Sequence, residues 1–115
     1  MNPEKSSMKA FVAEASMSRV LVRLLDDAFL EQLLTLGFSS VGDARLNTFS
    51  KSVPEQNAKV KVLVDLRDYG VCFSGGAAWS PSEVFEYLRD QGLLIGSYRR
   101  VEWSGPGRFT ITENC

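Results

Sequence analysis

The sequence predicts an α+β domain: a two-layer sandwich of two helices packed on a mainly antiparallel sheet, in the order (β)αβββαββ. Three patterns carry that prediction. Apolar residues recur at three and four over 17–36, a capping signature precedes 81–91, and valines alternate with charged residues over 59–66. A helix with one apolar stripe needs another apolar surface to cover, and a sheet with one wet face supplies it.

In chain order, residues 1–7 read as a flexible polar leader and 8–115 as a single domain. Phe11, Ala13 and Ala15 alternate as in a short strand over Lys9 to Ala15, and Ser16 and Ser18 are available as caps for a helix that follows. That helix is expected from Met17 to Leu36, with Val20, Leu21, Leu24, Leu25, Phe29 and Leu33 on its apolar stripe. Arg19, Arg23, Asp27 and Glu31 lie opposite, and the pair Asp26-Asp27 reads as a solvated face. Gly37 ends the helix in a left-handed conformation, and Phe38 returns toward Leu33. Val41-Gly42-Asp43 reads as a turn, Ala44 to Ser52 as a strand, and Val53 to Asn57 as a loop.

Val60, Val62, Val64 and Leu66 then share one face of a strand whose other face carries Lys59, Lys61 and Asp65. Arg67-Asp68-Tyr69-Gly70 reads as the hairpin turn into a strand over Val71 to Ser74, and Gly75 to Ala78 as a connection. Ser80 as N-cap, Pro81 in the first helical position and Glu83 three residues after the cap mark a helix that runs to Gln91 and stops at Gly92. Ile95 to Trp103 and Arg108 to Thr112 flank Ser104-Gly105-Pro106-Gly107 as a closing hairpin. The spacing of leucine, glutamate and glycine over 29–38 matches that over 84–93, which invites reading the chain as two β-α-β-β units.

A chain of 115 residues, 44% hydrophobic and 23% charged, is long enough for one core and too short for two independent domains. Thirteen Lys and Arg against 14 Asp and Glu leave no chain-wide field for nucleic acid or an anionic membrane. There is no histidine, which removes the usual general base, the commonest metal ligand and every Ser-His or Cys-His nucleophile pair. Cys72 and Cys115 read as reduced thiols. No apolar run approaches the length of a membrane span or a signal core, so cytoplasmic residence without membrane contact is the expectation.

Four constellations could carry function. Cys72, followed by Gly75-Gly76, resembles a nucleophile beside amide donors, but the chain has no histidine to activate it. Asp65 and Asp68 offer two carboxylates to a divalent cation with no further oxygen ligand nearby, so neither metal nor cofactor is expected. Tyr98, Arg99, Arg100, Trp103, Arg108 and Phe109 interleave aromatics with arginines on one hairpin, the composition that holds single-stranded nucleic acid. Alternation splits that set between two faces. Trp79, Phe85, Tyr87, Trp103 and Phe109 are the aromatic complement available to line a cleft between helices and sheet. The function expected is that of a small non-catalytic binding protein whose partner is a protein or a small apolar or aromatic ligand. Homodimerisation through open strand edges is an accompanying expectation. The alternatives are a nucleic-acid-binding accessory protein using the 98–109 hairpin, and an enzyme using Cys72 or Asp65 and Asp68.

Overall fold

The computed structural model describes residues 9–16, 18–41, 47–76, 79–105 and 108–114. The α+β class stands: among the described residues three α-helices, one more than expected, accompany one seven-stranded mixed sheet. Strands β1 (Ala10–Glu14) and β2 (Arg19–Leu24) form a central hairpin, followed by a 3-10 turn at Asp27–Phe29 and a short helix α1 (Leu30–Thr35). Then come β3 (Ser39–Ser40), β4 (Thr48–Ser52), α2 (Gln56–Asp68), β5 (Cys72–Ser74), α3 (Pro81–Asp90), β6 (Tyr98–Gly105) and β7 (Arg108–Asn114). The sheet order is β3-β4-β2-β1-β5-β6-β7. Four of its six pairings are antiparallel, while β1–β5 and β5–β6 are parallel.

One face of this sheet carries Ala10, Val12, Val20, Val22, Leu24, Phe49, Phe73 and Tyr98 into a single large core. Each helix adds its stripe to the same cluster: Phe29 and Leu33 at α1, Val62, Leu63 and Leu66 on α2, and Val84, Phe85 and Leu88 on α3. The opposite face holds a separate, smaller cluster of Phe11, Cys72 and Val101, flanked by Ala13, Phe109 and Ile111. No described helix contributes to it, so the architecture is two-layered.

The layers are tied where α3 crosses β6. Phe85 stacks on Tyr98 with centroids 4.3 Å apart, and both rings meet Phe73 edge-on at 5.0 and 5.6 Å. The Tyr98 phenol shares a hydrogen bond with Ser82 Oγ at 2.6 Å and reaches Glu86 Oε2 at 2.9 Å, so the one polar atom of that buried ring is satisfied.

Two expected elements are corrected. Arg19–Leu24 is a strand and not the first half of a helix. Val20, Val22 and Leu24 are buried while Arg19 and Arg23 are exposed, a period of two that the helical template had absorbed through Leu21 and Leu25. Asp26 is accordingly a cap, accepting the Ala28 N–H at 2.9 Å, in place of a solvated helix face.

The second correction concerns the expected strand Lys59 to Leu66, which lies inside α2. The alternation of valines is genuine, but the buried residues Val62, Leu63 and Leu66 follow helical spacing, and Lys61 pairs with Asp65 at 3.2 Å across one turn. Arg67 to Gly70 therefore ends a helix and is no hairpin, and β5 pairs in parallel with β1 and β6. The two β-α-β-β groups, 19–52 and 72–114, also differ in arrangement: β2 lies antiparallel beside β4, whereas β5 lies parallel beside β6.

All three helices stop in the same way. The N–H of Phe38, Val71 and Leu93 bonds the carbonyl of Leu33, Leu66 and Leu88 respectively, at 3.0 to 3.1 Å, across Gly37, Gly70 and Gly92. Gly42, Asp43, Ala77, Ala78, Pro106, Gly107 and Cys115, which belong to the expected turns and the chain end, lie outside the described residues.

Gly70 has φ +87, and a Cβ built there would touch nothing within 4 Å, so substitution meets only the backbone cost of the left-handed region. Gly70→Ala is expected to lower stability by about 1 kcal/mol in urea unfolding. An unchanged midpoint would contradict the assigned end of α2.

Candidate functional site

Because β2 runs antiparallel to both β1 and β4, and β5 runs parallel to β1, strands β1, β4 and β5 share a direction. Their carboxyl ends emerge on one side of the sheet, where the chain enters α2 and α3. Such convergence at a change of strand order is where open α/β sheets form ligand crevices. A cleft of about 370 Å³ lies there, within the range of small-molecule sites.

Its walls come from each of those connections. Ser16 and Ser18 stand at the β1–β2 turn, Val53, Pro54, Glu55, Gln56 and Lys59 at the β4–α2 junction, and Trp79, Val84, Tyr87 and Leu88 at α3. Val53, Val84 and Leu88 are buried and form an apolar floor. Trp79 and Tyr87 are 61% and 47% exposed, respectively, and meet edge-to-face with centroids 5.9 Å apart. Two large rings left in water beside an apolar floor are an unsatisfied apolar surface.

The backbone at Trp79 is strained to hold its ring there. Its φ is +57, a region that bulky residues rarely enter. Glu83 Oε1 accepts the Trp79 N–H at 2.6 Å, so the carboxylate expected to complete a capping box grips the residue before the cap. Ser80 occupies the N-cap position with no side-chain cap bond, and its buried Oγ has no hydrogen-bond partner.

Lys59 is the cation of the cleft. Burial pushes its ammonium below the ordinary lysine value of 10.5, and no ion pair among the described residues holds it. Glu55, one turn earlier, is the only carboxylate in the lining and is exposed. Its side chain makes no cap bond to α2.

The expected aromatic set is divided three ways. Trp79 and Tyr87 line the cleft, Phe85 is fully buried in the core, and Trp103 and Phe109 lie on the opposite sheet face with Phe11, at centroid distances of 5.1 and 5.2 Å from the Trp103 ring. The hairpin set is likewise dispersed. Tyr98 is buried, Arg99 faces Glu113 at 4.0 Å, and Arg100 meets Glu102 at 3.2 Å, while Arg108 is exposed at the start of β7. Cys72 is a buried thiol between the two sheet neighbours of β5. Asp65 pairs with Lys61, and Asp68 with Arg67 at 2.8 Å. Among the described residues no three Cys, Asp or Glu side chains gather as a metal site, and no helix is long and apolar enough to cross a membrane.

No protein-family model, curated protein or solved structure matches the chain. The cleft therefore has to be read from its own chemistry. Sequence reasoning missed Lys59, Glu55 and Gln56 because it placed them on a loop and a strand. The spacing Leu66-Arg67-Asp68-Tyr69-Gly70-Val71, the same as Leu88 to Leu93, was the signal that they precede or begin a helix.

The folded state disfavours charged Lys59, so its cost to stability is full below the folded pKa and fades as pH climbs toward 10.5. Lys59→Met, which keeps an apolar stem, is expected to melt no lower than the parent at pH 7, with any advantage shrinking in alkaline buffer. A variant less stable than the parent at neutral pH would show that the ammonium is held by something the cleft geometry does not contain.

Proposed function

We propose that this chain is a small non-catalytic binding protein whose cleft at the carboxyl ends of β1, β4 and β5 takes a small apolar or aromatic molecule. The observation that carries the reading is the exposed Trp79–Tyr87 pair, set over Val53, Val84 and Leu88 by a strained backbone. Covering about 150 Å² of ligand and wall would supply roughly 4 kcal/mol before the costs of association, which corresponds to modest affinity. The groups facing the cleft are hydroxyls, an amide, one ammonium and one carboxylate, and they lack the base–nucleophile pairing of covalent catalysis.

A thermal-shift screen against aromatic compounds and short oligonucleotides tests this directly, because a ligand of the folded state raises its melting temperature. Aromatic compounds are expected to raise it and oligonucleotides to leave it unchanged. Trp79→Gly removes the wall and relieves the positive φ, so that variant should keep its stability while affinity falls about tenfold or more. A flat response to aromatic compounds, or an undiminished shift in Trp79→Gly, would defeat the reading.

A second reading, homodimerisation, is favoured by one edge. β7 is the outermost strand beyond β6, seven residues long, with Thr110, Ile111 and Thr112 at its centre and neither Pro nor Lys within it. Such an edge offers backbone donors and acceptors to another strand. Pairing of β7 with its copy would bring two Phe109–Trp103 patches into one continuous sheet. Sedimentation is expected to show a dimer that Thr110→Lys, on the exposed side of the edge, converts to monomer; a parent monomeric at high micromolar concentration rejects it.

A further inference from the structure

Resting on the ligand reading above, we infer that the molecule taken by the cleft is a monoanion: a carboxylic acid on a planar or compact apolar body, with its acid group at Lys59 and its body lying against the Trp79–Tyr87 pair. The cleft has walls from two connections. Trp79 precedes α3 and Val84, Tyr87 and Leu88 lie on it, while Lys59 and Gln56 come from the first turn of α2.

At the start of α2 three features favour negative charge together. Lys59 has no ion pair among the described residues, and Glu55, the N-cap residue with extended backbone, does not pair with it. The first intrahelical bond of α2 is donated by the Lys59 N–H to the Glu55 carbonyl, so the N–H groups of Gln56, Asn57 and Ala58 have no acceptor within the helix. The 13 residues of α2 direct the positive end of their dipole to the same place. A half-buried ammonium without a partner disfavours its own charged form, and an anion beside it reverses that preference. Glu55 lies exposed at the rim, where water screens it.

The count of charges sets the class. A single half-buried ammonium, with no arginine in the lining, matches one negative charge and lacks the bidentate fork that a phosphate dianion recruits. A volume of about 370 Å³ admits a bicyclic aromatic acid.

Isothermal titration calorimetry with 2-naphthoate and its neutral analogue 2-naphthamide, on the full chain, separates body from charge. The parent is expected to bind the acid about tenfold more tightly than the amide. That gap should vanish in Lys59→Met and persist in Lys61→Met, which removes the same charge from an exposed residue paired with Asp65. Equal binding of the two probes by the parent, or a gap that survives Lys59→Met, overturns the anion inference and leaves the cleft reading in place. Binding of neither probe overturns both.

Discussion

The fold depends on β1 being buried on both of its faces. Ala10 and Val12 point into the large core and are inaccessible, while Phe11 points the other way and is only 8% exposed. Such a strand has to be central, with backbone partners on both sides. β2 supplies one set of antiparallel bonds and β5 one set of parallel bonds, so β1 is the place where the sheet changes character. The hairpin side needs only a short turn, whereas the parallel side needs crossovers, and α2 and α3 are those crossovers. Because both cover the same face as α1, the reverse face depends on its own side chains. Phe11, Trp103, Phe109 and Ile111 shield Val101 and Cys72 there.

The position of the cleft follows from that change of character. Strands sharing a direction deliver their connections to one end, and helices that follow strands begin at that end. The binding surface is built from turns and first helical turns, where backbone donors are left over and where a side chain such as Trp79 can be set at an angle that a regular element would not allow. A positive φ at a tryptophan is a cost that the Glu83 carboxylate and the Tyr87 ring offset in part. Glu83 and Tyr87 stand four apart on α3, so the carboxylate that grips Trp79 and the ring that meets it share one face of that helix.

What could be read in the sequence was set by whether local chemistry and tertiary demand agreed. The cap at Ser80-Pro81, the stops at Gly37 and Gly92, the first strand and the closing hairpin are local signals, and each element is present there, although the first hairpin strand begins at Tyr98 and not at Ile95 and runs on to Gly105. The segments 19–24 and 56–68 failed because their apolar residues satisfy both periods. Val20, Leu21, Val22 and Leu24 fit a strand or a helix equally, and the choice was made by the neighbours that bury Val20, Val22 and Leu24 together. In α2 the run of β-branched residues favoured a strand on propensity, but Leu63 and Leu66 reach the core together only on a helix. The glycine stop at 70 was present in the sequence and was outweighed by the valines beside it. The cleft was half legible: its aromatic wall belongs to a helix whose signals were clear, and its cationic end to one whose signals were mixed.

The division of the aromatics also explains why α3 can serve as a fixed wall. Phe85 and Ser82 face inward and are locked to Tyr98 by stacking and by a short hydrogen bond, while Tyr87 faces the cleft from the same helix. At the far end, Arg89 donates to the Gly96 carbonyl at 2.9 Å, and Arg67 from α2 donates to the carbonyls of Ile95 and Ser97 at 3.0 Å each. Both crossover helices therefore hold the loop that leads into β6. Binding at the open end need not order α3, because the core and this loop already do so, and a preformed wall lowers the conformational cost of taking a ligand. The freedom left to the site lies in the side chains that the core does not constrain, the Lys59 stem and the Trp79 ring, and both line the same cleft.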